Sequence, residues 1–428
     1  MNRKDFIKNT MFTLGFGNLL STFPKFQSEL FASEDEEFRL PSKVKSIIFI
    51  EMSGGMSHVD TLDPKPNGVF STVPTKIKGV NFGEPFAQTA KHIHNLSLVR
   101  STWSEEGDHG FGQFLLGTGY RMTEAMGFPD IPHIGSVVAY AKKGNQNGSY
   151  FPSYVTIGGR GGKSGQSGFL GIPYAGYHVG NLDEPIQHLN PSHGRYKEER
   201  LVRRKDLLSL MNAEFSEKFT SDQGKQWQSM LVAAEEFRSS KDIDAFRISL
   251  EDEKTRQRYG TTWQGKAMLL AKRLATKEIP FIHINIGGWD THDNNKAQIT
   301  KIMKDTDQGI AALIEDLAGL GLLKQTIFVL SSEFGRTPVV GGRDGRDHYP
   351  KVWTSIVGGG PFSKGSVFGE TDEFGNQMVD PNTGVHVRDL VATLYQASGV
   401  DPTASLMNSF GRPFRLTTRK AKVRDNLI

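Results

Sequence analysis

The chain has 428 residues, 23% of them charged, a formal net charge of +4 and no tract rich in lysine and arginine. This balance, without any base-stacking pattern, argues against nucleic acid as a partner. Cysteine is absent, which excludes disulfides, thiolate metal sites and cysteine nucleophiles and leaves histidine and carboxylate side chains as metal ligands. The length suits a large α/β enzyme built on one extended sheet.

Residues 1–33 have the pattern of an export signal. A basic start precedes a short apolar segment at 10–23, and a charged stretch follows at 33–37. The apolar segment is too short to cross a membrane, so we expect no stable membrane span. The start resembles a twin-arginine signal, with Lys4 where the second arginine belongs. We therefore expect an exported protein, periplasmic or extracellular, with residues 34–42 as a linker; an amphipathic first helix packed on the domain is the alternative.

The first core strand is predicted at 43–50, and the loop after it contains His58, Asp60 and Asp63. Two glycines at 54 and 55 allow the backbone to turn sharply and give a ligand close access. The polar side chains of this loop are candidate metal ligands. Alternatively, the two aspartates bind backbone N–H groups within turns.

A second strand is predicted at 96–101, after which Gly107–Gly110 opens a helix that ends near Gly119. His109 would lie at this strand-to-helix turn, close to the positive end of the helix dipole. A lone histidine is more often structural, but this position favours a functional role.

The alternating pattern at 279–286 predicts a strand that leads to Asp290 and His292. Side chains at i and i+2 of an extended chain share a face, so these two can converge on one metal ion. An amphipathic helix at about 300–320 and a strand at 326–330 follow, with Glu333 just past the strand. A right-handed crossover would bring all three side chains to one sheet edge, where open α/β sheets bind ligands.

A glycine-rich loop returns Asp347 and His348 towards Glu333. Oxygen and nitrogen donors of this kind are what a divalent metal ion needs. The alternative for Glu333 is a surface salt bridge with Arg336. Residues 43–428 are expected to form a single α/β domain, with a charged, helical insertion at about 197–260.

Four motifs, at 54–66, 287–292, 333–338 and 345–348, closely resemble the bacterial domain-of-unknown-function family 1501. That family looks like a branch of the alkaline phosphatase/sulfatase superfamily and usually carries an export signal. The resemblance implies a three-layer sandwich with a central, mostly parallel sheet and a metal-dependent hydrolase of sulfate or phosphate esters. It also implies a ligand set, which consists of Asp290, His292, Glu333 and His348. Asp347 would point away from its neighbour His348 in an extended chain, so we expect it to support a ligand rather than bind the metal.

Two departures from the superfamily pattern bear on the chemistry. The aspartate ligand expected after the first strand is replaced by Met52-Ser53-Gly54, so His58 or Asp60 would have to substitute for it. The nucleophile is expected ten residues before the glycine of a Thr-Gly pair, and that position is His109. Either His109 attacks or acts as ligand or general base, or a water activated by the metal ion is the nucleophile, or hydrolysis has been lost.

These observations predict an exported hydrolase that uses a divalent metal ion, zinc or calcium, to cleave a small-molecule or glycan ester. Bound metal polarises the ester oxygen and lowers the pKa of water. His109 would take the nucleophile or base position, and Arg336 or Lys65 would stabilise the anionic transition state. The alternative is a non-catalytic, metal-stabilised periplasmic binding or assembly protein that retains the metal site of the superfamily.

Overall fold

A computed structural model describes residues 38–125, 130–142, 151–159, 166–186 and 240–428, with a few isolated positions between 203 and 237. Within these residues one nine-stranded sheet forms the centre of the fold. Its strands, in chain order, are β1 (Ser46–Met52), β2 (Ser97–Trp103), β3 (Tyr154–Gly158), β4 (Tyr177–Val179), β5 (Phe281–Ile286), β6 (Thr326–Ser331), β7 (Trp353–Gly358), β8 (Val367–Phe368) and β9 (Val385–His386).

The sheet is mostly parallel. Its strand order is β8-β2-β7-β6-β1-β5-β3-β4, and β9 pairs with the end of β2. β1 runs parallel to both β5 and β6, whereas β7 is antiparallel to β6 and β2. The carboxyl ends of β1, β2, β5 and β6 therefore lie at the same edge.

Helices cover both faces of the sheet, which gives three layers. They are α1 (His109–Thr118), α2 (Ile134–Ala141), α3 (Glu253–Tyr259), α4 (Trp263–Thr276), α5 (Asn295–Gly319) and α6 (Val387–Ser398). Residues of α4 and α5 belong to one apolar cluster, and residues of α1, α2 and α6 to another. β1 supplies Ile48 and Ile50 to the first cluster and Ile47 and Phe49 to the second, as the period of two in a strand requires.

Short elements complete the described chain. Three two-stranded pairs join Thr72–Pro74 to Asn81–Gly83, Gly335–Arg336 to His348–Tyr349, and Ser405–Met407 to Pro413–Arg415. The 3₁₀ helices are Glu84–Phe86, Thr89–Lys91, Ile93–Asn95, Gly168–Leu170, Ile172–Tyr174, Lys241–Phe246, Ile248–Leu250, Leu322–Lys324 and Pro381–Thr383.

The predicted α/β fold with a central, mostly parallel sheet is confirmed. Phe38, inside the predicted linker, is buried, and Arg39 forms a bridge with Val400. The predicted export signal and most of the predicted insertion lie outside the described residues. None of the described helices is both long enough and apolar enough to cross a membrane.

The buried, neutral His133 makes the stability of the fold depend on pH. His133 is the N-cap of α2, and its Nδ1 accepts a hydrogen bond from the Gly135 N–H at 2.9 Å. Burial, with a smaller contribution from the nearby His283, holds the pKa of His133 well below its usual value. The unfolded chain therefore binds more protons than the folded one as the pH falls below about 6.5.

We predict that the free energy of unfolding is highest above this pH and falls as the solution is acidified. In His133→Asn, an amide that does not titrate can still cap the helix. Its unfolding free energy, measured by urea denaturation from about pH 8 to about pH 5.5, should fall less steeply than that of the wild type. Equal slopes for the two proteins would contradict this role for His133.

Candidate metal centre and active site

The candidate site lies at the carboxyl edge of the sheet, where the strands β2, β5 and β6 deliver side chains to it. His109 follows β2 as the first residue of α1, and the Asp108 side chain caps this helix by accepting from the Phe111 N–H. Gly119, with φ of 74°, ends the helix in the left-handed conformation that glycine tolerates best. Asp290 follows β5, and Glu333 follows β6.

Three side chains converge at this edge within metal-binding distance. Ligand atoms of His109, Asp290 and His348 all lie within 4.8 Å of one another. Asp290 Oδ1 is 3.2 Å from His109 Nε2 and 3.1 Å from His348 Nε2. His292 adjoins this group, because its Nε2 is 3.0 Å from Asp290 Oδ1 and 3.0 Å from His348 Nε2.

The opposite nitrogen of each imidazole faces an acceptor. His109 Nδ1 is 2.8 Å from Glu333 Oε1, and His292 Nδ1 is 3.0 Å from Asp347 Oδ1. His348 Nδ1 is 2.7 Å from the Gly107 carbonyl oxygen. These acceptors assign the ring hydrogen to Nδ1 in each neutral histidine, which leaves three Nε2 lone pairs beside Asp290 Oδ1.

Glu333 fixes the orientation of His109. The carboxylate is buried, and its Oε1 also accepts from the Gly54 N–H at 2.8 Å. The hydrogen bond to Glu333, opposed by burial and aided by the charges of Glu333 and Asp290, raises the pKa of His109. Gly54 has φ of 117°, and a Cβ there would lie 2.5 Å from the Asp290 backbone nitrogen, so glycine is required for this approach.

Arg336 holds Asp290 rather than standing free for an anion. Its side chain is fully buried; Nε donates to the Gly55 carbonyl at 3.1 Å and Nη1 to the Arg346 carbonyl at 2.8 Å. Nη2 donates to the Gly54 carbonyl and to Asp290 Oδ1. Burial opposes the shift, but the hydrogen bond from Arg336 and the contact with His348 lower the pKa of Asp290, while burial lowers the pKa of Arg336. The alternative salt bridge between Glu333 and Arg336 is not formed, since each of them pairs elsewhere.

The residues fit a divalent metal ion in number, chemistry and spacing. Ligands about 2.0–2.1 Å from a tetrahedral zinc ion lie roughly 3.3 Å apart. The observed separations from Asp290 Oδ1 to the three Nε2 atoms are 3.0–3.2 Å. His109 Nε2 is buried and makes no hydrogen bond, because its contact with Asp290 is off the hydrogen-bond direction. Imidazole suits zinc and other transition metals, whereas calcium takes oxygen ligands.

The structure does not bring His58, Asp60 or Lys65 to this cluster. His58 is buried with Nε2 2.8 Å from the Gly375 carbonyl, and burial lowers its pKa. Both oxygens of Asp60 accept from Arg346, at 2.7 and 2.8 Å. Lys65 Nζ lies 3.4 Å from Asp63 Oδ1.

Some contacts of the site give no signal in the sequence. The acceptor for His348 is a backbone carbonyl, which any residue at position 107 would supply. The pairing of His109 with Glu333 joins residues 224 positions apart. The opposite charges of Glu333 and Arg336 suggested a salt bridge between them. Only the fold shows that Arg336 pairs with Asp290 instead.

The chain belongs to a family described as "Protein of unknown function (DUF1501)", whose model matches residues 44–428. A search of curated proteins finds no match.

Several solved structures resemble the chain at low identity. The protein Ps i-CgsB is 12% identical, with a TM-score of 0.42 over 85% of this chain and 73% of its own. The PsFucS1 sulfatase from Pseudoalteromonas sp. is 11% identical, with a TM-score of 0.41 over 88% of this chain and 72% of its own. A protein in the alkaline phosphatase superfamily from Vibrio parahaemolyticus is 9% identical, with a TM-score of 0.37 over 90% of this chain and 76% of its own.

Gly345 allows the loop that carries Asp347 and His348 to dock beside His292. A Cβ on Gly345 would lie 1.9 Å from the His292 carbonyl oxygen, whereas one on Gly342 would meet nothing within 4 Å. We predict that Gly345→Ala lowers the unfolding free energy by about 2 kcal/mol or more, because backbone must move, and that it weakens zinc binding. Gly342→Ala, the matched control, should leave both unchanged in denaturation and zinc titrations. Equal behaviour of the two variants would contradict the docking role.

The contact between Glu333 and His109 can be tested in metal-free protein. We predict that the pKa of His109, followed by NMR, is above its usual value in the wild type and falls in Glu333→Gln, because the amide removes the charge that stabilises the imidazolium. A titration of His109 that is the same in both proteins would contradict the assignment.

Proposed function

We propose that this protein is an exported, metal-dependent hydrolase of sulfate or phosphate esters. The observation that carries the proposal is the convergence of three histidine Nε2 atoms on the carboxylate of Asp290 at the carboxyl edge of the sheet. Four acceptor atoms gathered in this way repel one another unless a cation lies between them. The class of ester comes from the sequence motifs that resemble the alkaline phosphatase/sulfatase superfamily.

The proposed ligands are His109, Asp290 and His348, with His292 as the fourth donor. A bound zinc-type ion would polarise an ester oxygen and lower the pKa of water at this position. Glu333 and Asp347 accept from the Nδ1–H groups of His109 and His292 and so hold both rings in the binding orientation. Arg336 neutralises part of the charge of Asp290 from the buried side.

His109 fits the role of ligand better than that of nucleophile. One ring nitrogen faces the carboxylate of Glu333 and the other faces Asp290, so neither is free to attack a sulfur or phosphorus atom. Of the three possibilities left open by the sequence, we therefore favour water as the attacking group. His58 and Asp60 are left out of the proposed ligand set because the Gly375 carbonyl and Arg346 engage them.

The non-catalytic alternative is favoured by one observation: position 109 carries no hydroxyl or thiol that could form a covalent intermediate. A protein of this kind would retain the metal and bind a sulfated or phosphorylated glycan without turnover. Export rests on the pattern of residues 1–33. Periplasmic or extracellular location is part of the same proposal.

We predict that the purified protein binds about one zinc ion and that His109→Ala, Asp290→Asn and His348→Ala each weaken binding by about tenfold or more, because each variant removes a ligand or, in Asp290→Asn, the charge of one. His94→Ala, which changes an exposed histidine, is the matched control. Elemental analysis and competition with a chelator measure the effect. Unchanged zinc binding in the three ligand variants would refute the assigned centre.

We predict that the zinc-loaded protein cleaves an aryl sulfate or a phosphate mono- or diester, and that removal of the metal with a chelator abolishes cleavage. Asp290→Asn should lower kcat/KM at least a hundredfold, while His94→Ala should match the wild type. Saturable binding of sulfated or phosphorylated glycans without any turnover would instead support the non-catalytic alternative.

A further inference from the structure

Ser53 is the first residue beyond β1, and its backbone joins that strand to the segment that carries Asp290. Its N–H donates to the Ile286 carbonyl at 2.9 Å, and its carbonyl accepts from the Trp289 N–H at 3.3 Å. Trp289 directly precedes Asp290. These two bonds place Ser53 beside the start of the loop that leads into the cluster.

The neighbours of Ser53 join it to the other elements of the cluster. The N–H of Gly54 donates to Glu333 Oε1, the same oxygen that faces His109. The Gln113 amide donates from Nε2 to Ser53 Oγ at 2.7 Å. Gln113 lies four residues after His109 on α1, so the two side chains share one face of the helix. The hydroxyl is therefore positioned from β1, β5, β6 and α1 together.

Ser53 and Gln113 retain hydrogen-bond donors. Because Ser53 Oγ accepts from Gln113, its own hydrogen remains available, and the Gln113 amide has a second N–H. Among the described residues, neither side chain makes another hydrogen bond. In the stretch from Glu51 to Asp63, Ser53 is the one partly exposed residue, and the others are buried.

We propose that Ser53 and Gln113 form a donor pair that binds the non-bridging oxygens of the sulfate or phosphate ester. The proposal rests on the hydrolase function and extends it to substrate contact. A tetrahedral oxyanion offers only acceptors and needs donors directed at it. The two cations that the sequence suggested for this role are engaged elsewhere, Arg336 by Asp290 and Lys65 by Asp63.

A purely structural role would make this bond a tie between α1 and β1. That role predicts loss of stability and of metal affinity when either partner is replaced, with no specific loss of anion binding. The donor role predicts that replacing either partner weakens anion binding and leaves stability and metal affinity unchanged. Measurements of all three properties on metal-loaded protein therefore distinguish the two roles, and none of them depends on turnover.

The test measures binding of inorganic sulfate and inorganic phosphate to zinc-loaded, full-length protein by calorimetry. We expect Ser53→Ala and Gln113→Leu each to weaken binding roughly ten- to a hundredfold, as loss of a hydrogen bond to a charged group does. The double variant should lose less than the product of the two single losses, because Gln113 orients the Ser53 hydroxyl. Ser53→Thr, which keeps a hydroxyl, should retain binding.

Zinc content and melting temperature should match the wild type in these variants. Ser71→Ala, which removes an exposed hydroxyl bonded to Glu84, is the control and should bind both anions normally. Equal anion affinity in the wild type, Ser53→Ala and Gln113→Leu would overturn the donor pair. If the wild type still cleaved an ester in that case, the proposed hydrolase function would be unaffected. Parallel loss of zinc and stability would also overturn it in favour of the structural tie. Failure of the wild type both to bind either anion and to cleave any ester would overturn both proposals.

Discussion

The arrangement of the site depends on one carboxylate oxygen and three imidazole nitrogens that lie close together, where Arg336 donates to the oxygen and not to the nitrogens. Asp290 Oδ1 lies 3.0–3.2 Å from three imidazole nitrogens, and each imidazole gives its ring hydrogen to an acceptor on the other side. Such a group is unstable on its own, because lone pairs at this separation repel. Protonation of the histidines or binding of a cation relieves the repulsion, and the spacing suits a metal ion.

The sheet makes this concentration of acceptors possible. β1, β2, β5 and β6 end at one edge, so residues far apart in the chain meet there. Glycine at position 54 and glycine at position 345 then allow the loops to approach one another more closely than a Cβ would permit. Asp290, whose side chain is half exposed, supplies the counter-charge that the fully buried guanidinium of Arg336 needs.

Much of the architecture could be predicted because its signals are local. Strands buried on both faces appear as apolar runs, and the polar residues that end β5 and β6 follow them immediately in the chain. The shared face of Asp290 and His292 follows from a period of two. The sequence could therefore name most of the side chains at the sheet edge.

The partners of those side chains could not be predicted, because they are set by tertiary contacts. Asp60 has the composition of a ligand, yet Arg346 occupies both of its oxygens. Lys65 and Arg336 have the charge of anion-binding residues, yet aspartates hold them. The order of residues along the chain contains no information on which of two nearby carboxylates a given cation will choose.

The central claim is that one metal ion lies among His109, Asp290 and His348, and anomalous scattering from crystals of the zinc-loaded protein tests it most directly. The account predicts a peak at the zinc edge about 2.0–2.1 Å from Nε2 of both histidines and from the Asp290 carboxylate. A peak beside His58 and Asp60 instead, or no peak at the sheet edge in crystals grown with zinc, would contradict it.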